Sequence, residues 1–155
     1  MTNQKEAQQI AKQFLETHNL NFPINIKKIV NILDIKLIYC NFEGKGTVFY
    51  ADKNQRLIFA NNNLSDEKLR FEITINIAHI LLDNHGLIFE GYSAPSSDLS
   101  AKACARELLL PETEVKKIAQ KYNGSTQKIK NHFKVPRELV IQQIENLNLT
   151  YTIEE

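Results

Sequence analysis

RFEITINIAHILLDNHG, Arg70 to Gly86, is the stretch on which the reading of the whole chain turns. Two periods compete in it. Phe71, Ile73, Ile75 and Ile77 alternate with Glu72, Thr74 and Asn76, which is the pattern and the β-branched content of a half-buried strand. On a helix, Glu72, Asn76, His79 and Asp83 are spaced four, three and four apart and stack as one polar stripe on an otherwise apolar cylinder. A stripe of that kind faces water or a site. The two periods are nearly balanced. The length of the segment leans to a helix, as do Ser65 as an N-cap and Asp66 and Glu67 in a first turn.

Working outward, the flanks supply the architecture. Lys5 to His18 places Ala7, Ile10, Ala11, Phe14 and Leu15 at helical spacing, and a second short helix is expected from Asn25 to Leu33. Three β-rich runs follow: IKLIYC, GKGTVFYA and RLIFAN. Gly44, Gly46 and the polar DKNQ separate them, so they read as an antiparallel meander. After the central stretch, Gly86 to Ser97 reads as a loop, or a short strand with a loop. Helices are expected over Asp98 to Leu110, Pro111 to Tyr122, Thr126 to Phe133 and Pro136 to Leu147. The expected fold is α+β: N-terminal helices, a small antiparallel sheet, a central helix and a C-terminal helical bundle, all in one domain over 1–155.

Composition excludes several classes of function. Apolar residues make up 43% of the chain and charged residues 24%, as in an ordinary globular protein. The net charge of +1 argues against a general nucleic-acid binder. No run approaches the roughly 18 consecutive apolar residues of a membrane span. The polar start MTNQKEAQQ gives no expectation of a secretory signal, and Cys40 and Cys104 form no CxxC pair. A cytoplasmic protein with free thiols is expected. Cys104, between Ala103 and Ala105, reads as a small core residue.

The order of these pieces resembles the ImmA/IrrE family of zinc metallopeptidase-like proteins. NFPINIKKIVNILDIKLIYC is similar to the family's second helix and first strand. RLIFANNNLSDEKLRFEITINIAHILLDNH falls where the family has a strand, a loop and the helix with RFTLAHELGHILLH. DLSAKACARELLLPETEV resembles its ExxANxFAxxLLMP segment, and STQKIKNHFKVPRELVIQQIENL its closing pair of short helices. The resemblance implies a zincin-like central helix. There HExxH sets two histidines one turn apart on zinc, with the Glu as general base. A later carboxylate completes the ligand set and leaves one position open.

Here the five positions are Ile75, Asn76, Ile77, Ala78 and His79, and the later carboxylate falls on Asp98. The second His is kept, the first is replaced by a hydrocarbon, and the general base by an amide. No catalytic residue is therefore assigned. His79 and Asp98 are the residual metal candidates, with Glu72, Asn76 and Asp83 as cleft residues and His85 at the helix end. Two ligands make a poor zinc site, so no cofactor is expected. The leading expectation is a pseudoenzyme that binds a protein partner, such as a repressor, a regulator or a host defence protein. The role would be regulatory or inhibitory, and the resemblance associates it with phages and other mobile elements. Two alternatives stand beside it. One is a zinc endopeptidase with a metal site rebuilt from His79, Asp83 and Asp98. The other is a small DNA-binding regulator using the C-terminal helices, where Lys128, Lys130, Lys134 and Arg137 gather positive charge. DNA is not the expected partner.

Overall fold

The computed structural model describes residues 3–41, 46–84, 86–91 and 98–154. The first helix, α1 (Gln4–His18), starts at a capping box: Asn3 accepts from the Glu6 amide and Glu6 reaches back to the Asn3 amide. Its apolar face, Ala7, Ala11, Phe14 and Leu15, is buried, and α1 packs on a later helix, α4 (Leu99–Leu109). The second helix, α2 (Ile26–Ile32), leads into β1 (Lys36–Cys40), followed by β2 (Gly46–Ala51) and β3 (Arg56–Asn61).

The α+β layout is as expected, but the sheet is mixed rather than wholly antiparallel. Its strand order is β1-β3-β2-β4, with β4 running Gly86–Gly91. β2 is antiparallel to both β3 and β4, and β1 is parallel to β3. A meander would have paired β1 with β2. Instead β3 inserts between them, because RLIFAN carries the residues fit for a central strand: Ile58 and Ala60 are fully buried and so is Asn61. Alternation along a strand marks its inward face and says nothing about which neighbour it takes. Gly86 to Gly91 forms the edge strand β4, while the rest of the expected loop, 92–97, lies outside the described residues.

The central stretch is a helix. α3 (Asp66–Leu81) is capped by Ser65, whose hydroxyl accepts from the Lys68 amide, and Asp66 and Glu67 sit in its first turn. It lies against β2, β3 and β4 on one side and α4 (Leu99–Leu109) on another. As a result every residue from Glu72 to Ile80 is buried. This explains the competing periods: an enclosed helix has no wet face to impose a 3.6-residue rhythm on its sequence. Thr74 satisfies its hydroxyl on the Arg70 carbonyl one turn back, at 2.7 Å. The Arg70 guanidinium donates to the carbonyls of Lys134 and Ile24, tying α3 to both ends of the chain.

The C-terminal helices are α5 (Glu112–Lys121), α6 (Thr126–Phe133) and α7 (Arg137–Asn146). Pro111 offers α5 no side-chain cap. The buried Glu107 supplies one from α4, accepting from the Glu112 amide at 3.2 Å. The tail returns to α6, where Ser125 and Thr152 form a parallel bridge. No described helix is long and apolar enough to cross a membrane. Both cysteines are free: Cys104 is buried and Cys40 is half-buried.

Candidate functional site

The polar stripe of α3 is not a solvated face. Glu72 and Asn76 are 0% exposed and His79 is 2% exposed. β2 closes over Asn76 and His79 through its inward residues Thr47 and Phe49, both buried. The Asn76 amide donates to the Thr47 hydroxyl at 2.6 Å. The His79 ring stacks on Phe49, with centroids 5.8 Å apart and planes at 28°, and its Nδ1 pairs with the Asn84 amide at 2.9 Å. Ile75 is fully enclosed in the main hydrophobic core, beside Ile73, Ile77 and Ala78.

The other candidate residues stand apart from this stripe. Asp83 lies beyond the end of α3, in left-handed backbone (φ 61°), and is exposed. It lines a polar cleft of about 360 Å³ together with Asp34, Asp52, Lys53 and Arg56. Asp98 caps α4: one carboxylate oxygen accepts the amides of Ser100 at 2.9 Å and Ala101 at 3.2 Å. Next to it, Leu99 is 64% exposed, an unusual position for a leucine on the first turn of a helix. His85 lies outside the described residues.

The match with known proteins bears on these positions directly. A family model described as the IrrE N-terminal-like domain, peptidase M78, matches residues 30–145. This chain belongs to that family. The match runs from α2 through the whole sheet, α3 and α4 to the last turn of α7, so the α3 stripe lies well inside it. A search of curated proteins finds no match.

Set against the zinc chemistry of the peptidase family, the donor set of this chain does not fit. Position 75 is a buried hydrocarbon with no lone pair. Position 76 is an amide bonded to Thr47, and an amide takes no proton from water near neutral pH. His79 is packed against Phe49 and Asn84. Among the described residues, no three His, Cys, Asp or Glu side chains gather where they could hold a metal ion. The resemblance would put the first ligand and the general base of metal-assisted hydrolysis at Ile75 and Asn76, whose side chains offer a metal no lone pair and water no base.

Sequence reasoning named Asn76 and His79 but missed what holds them. The signal was present in GTVFYA: period two puts Thr47, Phe49 and Ala51 on one face of β2, and all three are buried. What no local pattern shows is that this face meets α3.

Proposed function

We propose that this IrrE-like chain is a pseudoenzyme that acts by binding a protein partner, in a regulatory or inhibitory role. One observation carries the reading. The resemblance puts the first ligand of the HExxH helix at Ile75, a fully buried hydrocarbon that offers a metal no lone pair. The neighbouring Asn76 and His79 are closed off by β2. A peptidase needs this stripe in contact with its substrate; a binding protein needs only the surface around it. That surface offers an exposed apolar anchor, Leu99, and a sheet edge, β4, able to take an extended segment of a partner by strand addition. The association of the family resemblance with mobile elements fits a repressor, regulator or host defence protein as the partner.

The test is capture of the partner from cells of the native host, using tagged wild-type chain beside His79→Ala and Leu99→Glu. The expected result is one partner, intact, held by wild type and by His79→Ala and lost with Leu99→Glu. Cleavage of the captured protein by wild type, abolished in His79→Ala, would overturn the proposal.

A further inference from the structure

The net charge of +1 conceals a strong segregation. Between Val115 and Arg137 stand seven Lys or Arg and no Asp or Glu, so a +7 stretch is set against −6 over the rest of the chain. The structure sorts six of these cations into two groups, and the seventh, Lys134, stands exposed at the C-cap of α6. Lys116 pairs with Glu112 at 2.8 Å, Lys117 with Glu114 at 3.5 Å and Lys130 with Glu67 at 2.6 Å, while Arg137 donates to the Gln127 side chain. Lys121 and Lys128 are different. Among the described residues neither makes an ion pair, both are exposed, and both ammonium groups converge on one ring. Their nitrogens lie 5.3 and 5.9 Å from the centroid of Tyr122. The His132 ring meets the same tyrosine edge-on at 6.4 Å.

We infer that this face, where the end of α5 meets α6, binds single-stranded nucleic acid. Two unneutralised ammonium groups held around a half-exposed aromatic ring present the two elements such a strand needs, charge for its phosphates and a π-face for a base. Lys117, one turn before Lys121, itself exposed and held by a single half-buried carboxylate at 3.5 Å, extends the charged row. Two carboxylates meet α6: Glu67 is taken up by Lys130, and Glu154 sits at the start of the helix, accepting from the Gln127 amide. Duplex recognition is the weaker reading of this region. The second helix of the α6–α7 pair would have to enter a groove, and its outward residues include the exposed carboxylates Glu138 and Glu145.

The experiment is fluorescence anisotropy with a labelled 12-nucleotide thymidine strand, titrated with the full chain from 20 to 200 mM salt. Three lysines on a single strand set a slope of log affinity against log salt of about −2, at roughly −0.7 per phosphate. Replacing both Lys121 and Lys128 by Ala, at exposed positions that leave the fold intact, is expected to bring the slope to about −0.7. Tyr122→Leu is expected to weaken binding about fivefold or more at unchanged slope, through the lost stacking. Absence of binding at 20 mM salt and 100 µM protein overturns the inference. So does a slope that the double lysine variant leaves unchanged. Equal affinity for a 12-base-pair duplex, or for a Glu-rich peptide of the same charge, also overturns it, since the face would then be a general anion binder.

Discussion

The zinc response of the wild-type chain and of a restored helix would bear hardest on this reading. Consider the double variant Ile75→His with Asn76→Glu, which rebuilds His-Glu-x-x-His over 75–79. Ile75 is 0% exposed, and removing a fully buried isoleucine from the core forfeits about 1.5–3 kcal/mol of transfer free energy. Asn76 also loses its bond to Thr47, worth about 1 kcal/mol net. In chelator the variant should therefore be less stable by about 3 kcal/mol, a fall in Tm of about 6–12 °C for a chain of this size. Zinc acts in the opposite direction only where ligands exist: at 1,000 times its Kd it stabilises by about 4 kcal/mol. The assay is thermal unfolding by circular dichroism, with zinc and with chelator, for wild type, the double variant and His79→Ala. Wild type and His79→Ala should show the same Tm in both conditions, and the double variant should recover most of its loss in zinc. A wild-type Tm raised by more than about 4 °C in zinc, reversed by chelator and absent in His79→Ala, refutes the reasoning. The donors would then exist despite the geometry of Ile75 and Asp98.

Three further outcomes are expected elsewhere in the fold. Burial raises the Glu107 carboxyl above its usual range, against the Glu112 amide, Lys12 and Gln143, which lower it. A folded pKa above the unfolded one means that stability is fully present below the unfolded pKa, near 4.5, and is lost as pH rises through the folded value. Wild type should thus gain stability over Glu107→Gln as pH falls from 7 towards 4.5, measured by urea unfolding at several pH values. At Gly124, φ is +74° and an added Cβ would meet the Thr150 carbonyl oxygen at 2.7 Å, so Gly124→Ala should destabilise by more than about 1 kcal/mol by denaturant unfolding. The Cys104 thiol is pushed up to about 12 by burial, with the Glu107 charge adding to it. A thiol reagent should therefore label at most one cysteine in the native protein and the second only on unfolding.

Much of the fold was legible because most elements announce themselves locally. α1 has one buried face and a capping box, and α6 and α7 are separated by the Lys134–Pro136 turn that the sequence suggested. Ser65 and Asp98 each occupy the cap that their side chains favour. What was not legible depends on contacts distant in sequence. The insertion of β3 between β1 and β2 is decided by which strand can be buried on both sides, and alternation in KLIYC, GTVFYA and RLIFAN is silent on that. The site was legible to the same degree. The stripe Glu72, Asn76 and His79 could be read from spacing, but Thr47, Phe49 and Asn84, which hold it, come from other elements. Asp83 falls past the end of α3, where the chain turns into left-handed backbone and leaves the stripe.

The strand-like look of α3 and the proposed loss of its chemistry follow from one cause. A catalytic helix must keep one side wet, so selection on catalysis preserves a polar stripe against an apolar background and with it a clear 3.6-residue period. α3 is enclosed over nine consecutive residues, Glu72 to Ile80, between the sheet and α4. In such a setting a ligand position with no metal is a buried polar group without its partner, which costs about 1–3 kcal/mol, whereas isoleucine there gains burial. On the proposed reading Ile75 is that exchange, and it lengthens the apolar series Phe71, Ile73, Ile75 and Ile77 until it imitates a strand. Asn76, an amide one methylene shorter than glutamate, donates to the Thr47 hydroxyl. On the proposed reading the ambiguity of RFEITINIAH would itself be a trace of a change in function, in a helix shaped by packing and not by a metal.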